Sequence, residues 1–179
     1  MTTVFQEQTQ EAIHDFDFFR GSWRVHHRRL VKRLQNSNEW EEFEAMTPEC
    51  YLVLDGLGNI DELHTEAGAI GMSLRFFNRQ TGQWYIYWVN SDGVLLPPVV
   101  GGFKNGIGVF EGRDVCEGQP VIVRFTWSDI TPTSARWQQE FSPDEGQTWE
   151  LNWVMEFTRI EDYPIFEGNT FSGFSSSTA

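Results

Sequence analysis

Cysteine is scarce in this chain: Cys50 and Cys116 are the only two, far apart and in no metal or redox spacing. That excludes a small disulfide scaffold, and two isolated thiols fit a reducing compartment. Basic residues are half as numerous as acidic ones, 13 against 26, for a formal net charge of -13. Such a chain lacks the cationic face that a nucleic-acid backbone or an anionic membrane surface requires, so neither partner is expected. Long apolar runs are missing too; none approaches the roughly 20 residues that cross a bilayer as a helix. The opening MTTVFQEQTQEAIHDF has no basic n-region and no apolar core, so it does not read as a secretory signal. The expected location is the cytoplasm. No His-Glu-x-x-His, no cysteine pair and no Gly-rich phosphate loop leading into a helix occurs, so neither a metal nor a cofactor is expected.

What the chain does have is aromatic side chains, 15% of 179 residues, with 8 Trp and 15 Phe. That excess suits a barrel with an aromatic-lined cavity or a wide antiparallel sheet. The length fits one domain over 1–179. Residues 1–9 are polar and read as a loose start. Ala12, Ile13, Phe16 and Phe19 fall at helical spacing and predict a short helix over 10–20, with Asp15 and Asp17 turned outward. Strand-like runs then alternate with turn signals over 22–35, 39–54, 60–66, 72–78, 84–90, 94–100, 107–113, 121–129, 134–141 and 148–160. About ten short strands without crossover helices indicate an all-β barrel or sandwich. Pro48 predicts a bulge or bend, and Pro97-Pro98 an edge or corner. The Gly/Ser-rich tail over 161–179 reads as partly disordered. A basic cluster, Arg20, Arg24, Arg28, Arg29, Lys32 and Arg33, reads as a solvated face that Glu39, Glu41, Glu42 and Glu44 of the next strand can pair.

Two stretches resemble known families. Gly21-Ser22-Trp23 after a short helix resembles the opening signature of the lipocalins and their calycin relatives. In that fold an arginine at the last strand packs across the tryptophan, and Arg159 occupies the corresponding place. The run from Phe16 to Ile160 also resembles an uncharacterised bacterial lipocalin-like family, in Gly-x-Trp, LGNIDE at 57–62, WYIYW at 84–88, PPVVG at 97–101 and the segment from Arg136-Trp137 to Trp153. The resemblance implies a single antiparallel up-and-down β-barrel with a short N-terminal helix, and it implies no activity. The second stretch, SPDEGQTW at 142–149, matches the Asp-box of sialidase-like propellers at every fixed position. Propellers carry several copies on a longer chain. A single copy reads as a hairpin device in which Asp144 caps loop amides, Gly146 takes a positive φ and Trp149 anchors the turn.

Alternation assigns faces. With Trp23 inward, Val25, His27, Arg29 and Val31 share its face, while His26 and Arg28 point out. Trp149, Leu151, Trp153, Met155 and Phe157 form an apolar face of the last strand. Arg136, Gln138 and Glu140 oppose Trp137, Gln139 and Phe141, and Trp84, Ile86 and Trp88 alternate with Tyr85 and Tyr87. His27 beside Arg29 is the most informative polar pair. Glu62, His64 and Glu66 form a second cluster that could act as acid and base or hold a metal. All four histidines precede residue 65, so a haem would have to be held through His27 or His64.

Three function classes follow. The first is a barrel binding a small, largely apolar molecule with a polar end, through His27, Arg29, Arg75, Trp88, Arg124, Trp137 and Trp153. The second is an enzyme on the same barrel, an isomerase, cyclase or lyase of a secondary metabolite, with His27, His64, Glu62, Glu140 or Tyr87 as acid or base. The third is an interaction protein, a homodimer included, anchored by Tyr85 and Tyr87. Gly21, Trp23, Arg159, Asp144, Gly146 and Trp149 are expected to serve structure.

Overall fold

The computed structural model describes residues 11–161; the expected loose start over 1–9 and the tail beyond 161 lie outside them. Ten strands follow one another: β1 (Gly21–Leu30), β2 (Trp40–Val53), β3 (Gly58–Thr65), β4 (Gly68–Asn78), β5 (Gln83–Asn90), β6 (Val99–Lys104), β7 (Ile107–Cys116), β8 (Gln119–Ser128), β9 (Ser134–Ser142) and β10 (Glu150–Ile160). Each pairs antiparallel with its successor, and β1 also pairs with β10, which closes the barrel. The turn chemistry supports this order. Asn105 and Gly106 both take positive φ, 54° and 78°, the pattern of a two-residue hairpin turn that matches strand twist. The β2–β3 register shifts between Met46 and Cys50, around Pro48, which cannot donate to the ladder.

The lead-in departs from the expected helix. Among the described residues it is helical only at 11–12, continues as turns and ends in a single 3-10 turn, Asp17–Phe19. The backbone is pulled off a helical path by two indoles: Trp84 Nε1 donates to Ala12 O and Trp23 Nε1 to Phe19 O, each at 2.9 Å. Phe16 and Phe19 still point inward and are fully buried. Phe19 stacks on Trp23 at 5.6 Å, and Phe16 meets Trp84 edge-on at 4.9 Å. The lead-in therefore plugs one end of the barrel. Asp15 is half-buried rather than outward, and burial pushes its carboxyl up to about 6.

Arg159 fastens this closed end. Its guanidinium lies 4.1 Å from the Trp23 ring and donates to the carbonyls of Pro132, Arg20 and Phe18. Three carbonyls with no partner in any ladder are thereby satisfied by one side chain. Gly21 sits against it at φ 92°, and a Cβ there would lie 3.1 Å from Arg159 Nη1.

The opposite end is where β1 stops at Leu30, short of the expected residue 35. The chain turns there because Leu34 and Asn36 take positive φ and Leu34 N donates to both oxygens of Glu150, at 2.8 and 2.9 Å. Val31 is consequently exposed instead of sharing the inner face. The 142–149 hairpin at this end follows the Asp-box reading. Asp144 Oδ1 accepts from Gln147 N and Thr148 N, Oδ2 accepts from the Thr148 hydroxyl, and Trp149 Nε1 donates to Gly146 O. These bonds hold the Asp144 carboxyl at about 2, against an ordinary 3.8.

Gly21→Ala is expected to cost at least about 1 kcal/mol in urea denaturation, since a Cβ is added at positive φ against Arg159. Asp144→Ala is expected to lower the melting temperature at pH 7. Because the folded carboxyl titrates below the unfolded one, that stability is present above pH 3.8 and is lost as pH falls through about 2. Thermal melts at pH 7, 4 and 2 should therefore show the gap between wild type and variant closing toward pH 2.

Candidate functional site

Side chains do not fill the barrel. A cavity of about 400 Å³ lies within it, bordered by Phe19, Arg75 and Trp127 toward the plugged end and by Arg29, Arg33, Trp153 and Phe141 toward the other. Between these limits β4, β5, β8 and β9 contribute Ser73, Ile86, Trp88, Val123, Phe125, Trp137 and Gln139. The sheet alternation explains the set: Trp137, Gln139 and Phe141 face in, whereas Arg136, Gln138 and Glu140 take the other face. Gly71 on β4 leaves room for the Trp88 indole, since a Cβ there would meet its Cζ2 at 2.2 Å. Beyond Ile86 the β5–β6 ladder ends, and Leu96 and Pro97 of the following loop complete that part of the wall.

The polar content of the cavity is largely internal. Arg75 Nη1 forms an ion pair with Asp61 and donates to Asn59 Oδ1 at 3.0 Å, and both partners come from β3. The guanidinium lies 4.8 Å from the Phe19 ring and 5.5 Å from that of Phe16, while its Nε has no partner. Gln139 donates to Asn152 Oδ1 at 2.8 Å, and Asn152 is fully buried because β10 shifts register between Leu151 and Trp153. That bulge interrupts the apolar face expected from Trp149 to Phe157. Only Trp153, Met155 and Phe157 of it reach the cavity.

His27 is fully buried and does not border the cavity. Its ring stacks on Phe43 at 4.3 Å, and Nδ1 accepts from Trp153 Nε1 at 3.0 Å, which places the ring proton on Nε2, an atom without a partner. Burial, helped by the Arg29 charge, lowers its pKa to about 3, so the ring is neutral. It positions Trp153.

The remaining sequence candidates divide. Arg29, Arg75, Trp88, Trp137 and Trp153 border the cavity, and Tyr87 contributes to its wall. Arg124 does not: it lies on the outer face, 3.5 Å from the Trp149 ring centroid, bonded to Glu111 at 2.8 Å and 3.9 Å from Glu140. Glu140 shares that outer position. His64 Nε2 and Glu62 Oε2 are 2.8 Å apart, but they too are on the outside, because Asp61 and Leu63 take the inner face of β3. Glu66 does not join them, and among the described residues no three His, Cys, Asp or Glu side chains are placed to hold a metal ion. Tyr85 and Tyr87 are both half-buried. Of the basic cluster, two members pair across β1 and β2 among the described residues, Arg29 with Glu41 at 2.6 Å and Arg28 with Glu42 at 3.5 Å; His26, outside that cluster, lies 2.7 Å from Glu44.

The sequence reading missed Asp61, Thr47 and Arg33 as cavity groups, and Asn59 as a buried partner of Arg75. Asn59, Asp61 and Leu63 alternate on β3 opposite Arg75, Ser73 and Gly71 of β4, and an acid and a base on neighbouring strand-like runs were the signal. Arg33 was expected on a solvated basic face of the first strand; β1 ends at Leu30 and Arg33 borders the cavity instead.

No model of a known protein family matches the chain, and no curated protein matches it either. None of the described helical segments is long and apolar enough to cross a membrane.

Holding His27 neutral makes stability depend on pH. The unfolded chain binds a proton near the ordinary 6.5 that the folded chain refuses until about 3, so stability is intact above the first value and lost as pH falls toward the second. Between pH 7 and pH 5, wild type should lose about 2 kcal/mol in urea denaturation that His27→Phe does not lose.

Proposed function

We propose that the barrel binds a small, largely apolar molecule with a polar end, held inside the cavity. The observation that carries this reading is the cavity itself. Its volume of about 400 Å³ lies within the range of small-molecule sites, and its border includes Trp88, Trp127, Trp137 and Trp153. Indoles and phenyl rings supply wide apolar contact with little side-chain entropy to lose, which suits an apolar body of loose shape requirements. Four of the five acid–base candidates are away from the cavity, which favours holding a molecule over transforming it. His27 is neutral and does not border it, His64, Glu62 and Glu140 are on the outer face, and Tyr87 alone reaches the wall.

The direct test uses N-phenyl-1-naphthylamine, an uncharged apolar fluorophore, on delipidated full-length protein, alongside native mass spectrometry of freshly purified protein. Saturable one-to-one fluorescence enhancement is expected, weakened by Val123→Trp, which fills the cavity from β8. Enhancement that does not saturate, or that the filled variant leaves unchanged, would sink the reading.

A further inference from the structure

We propose that the occupant of this cavity is an amphiphilic monoanion, a carboxylate on an apolar body, bound with its acid at the end opposite the plug, against Arg33 and Arg29. The inference rests on the cavity reading above and adds the charge and orientation of the ligand.

The cavity border carries four arginines, Arg29, Arg33, Arg75 and Arg113, against two aspartates, Asp61 and Asp114, in a chain of net charge -13. Three of the four are paired: Arg75 with Asp61, Arg29 with Glu41 at 2.6 Å, and Arg113 with Glu145 at 2.7 Å. Arg33 has no carboxylate within ion-pair distance among the described residues. The two acids that act on it are bonded to other groups: both oxygens of Glu150 accept from Leu34 N, and Glu41 is held by Arg29. The Cys116 thiol beside it is neutral, its pKa raised by burial.

The guanidiniums of Arg29 and Arg33 lie 5.2 and 5.8 Å from the same Trp153 ring, and Arg33 also lies 5.9 Å from Phe141. Two like charges are thus gathered around one indole at the cavity border. Burial first and the Arg29 charge second act against the charged form of Arg33, and Glu41 and Glu150 offset them only in part. An anion placed between them relieves the repulsion and gains charge-assisted bonds from a planar donor fork suited to a carboxylate. A cation is disfavoured at this end because arginine already lies over the Trp153 and Phe141 faces and would repel it. A dianion such as a phosphate monoester would meet about twice the repulsion from Glu41 and Glu150 that a monoanion meets.

Orientation follows from the other end. Arg75 is already neutralised by Asp61, whose charge would repel a second carboxylate there. Phe19 and Trp127 at that end suit the apolar terminus of the ligand.

The test compares decanoate with 1-decanol, the same body without the charge, as competitors of N-phenyl-1-naphthylamine, in wild type, Arg33→Gln and Arg33→Lys. Decanoate should compete at a concentration at least about tenfold lower than decanol, and Arg33→Gln should raise that of decanoate about tenfold while leaving decanol unchanged. Arg33→Lys, which keeps the charge, should keep the preference. Equal competition by the two in wild type, or an Arg33→Gln variant that weakens both alike, overturns the proposal while the cavity reading stands. If the fluorophore itself fails to bind, the cavity reading fails first. Calorimetry with decanoate alone then decides separately: saturable binding lost in Arg33→Gln supports the anion, and no binding refutes it.

Discussion

The structure depends on one contact, the guanidinium of Arg159 laid across the indole of Trp23. The two residues are register partners where the last strand meets the first, so this is where ten strands become a ring. The indole is fully buried, and its ring N–H holds the lead-in through Phe19 O. The guanidinium satisfies carbonyls from three separate pieces of chain. A cation could not be half-buried here without such partners, and those carbonyls could not be left unpaired without cost. Each thus justifies the position of the other, and the plug made by Phe16 and Phe19 is built upon them.

Because the plug closes one end, the polar groups inside the barrel fall into two populations. One is self-contained: Arg75 with Asp61 and Asn59 near the plug, and Gln139 with Asn152. The other is Arg29 and Arg33 around Trp153, of which Arg29 is paired with Glu41 and Arg33 has no ion pair among the described residues. His27 links the two indirectly, since it fixes the indole against which both of these arginines rest.

The fold was legible in the sequence because its signals are local. Asn105-Gly106 dictates a hairpin turn, Pro48 a register shift, Asp144 a capped loop, and Gly21-Ser22-Trp23 with Arg159 the closure. The lead-in was misread because its helical spacing is real while its carbonyls are drawn away by Trp23 and Trp84, which are distant in sequence or on another element. The site was only partly legible for the same reason. Strict alternation places Trp137 and Gln139 correctly, but the β10 bulge moves Asn152 into the interior, and the end of β1 removes Val31 from the inner face. Arg124 is a plain case. Parity alone cannot say which face of β8 is inside, and the residue stacks outward on Trp149.

A closed ring has no free strand edge, so the chain offers no ready template for another copy to extend its sheet. The thinnest seam in that ring is between β5 and β6, where only Trp84, Tyr85 and Ile86 are in register with Gly101, Val100 and Val99. If thermal motion parts the ring there, the exposed edges are Gln83–Asn90 and Val99–Lys104, and the second is preceded by Pro97-Pro98, two residues with no amide hydrogen to offer. An incoming strand could pair with β6 but would find no donors before Val99, so the prolines limit how far a ladder templated at this seam could run.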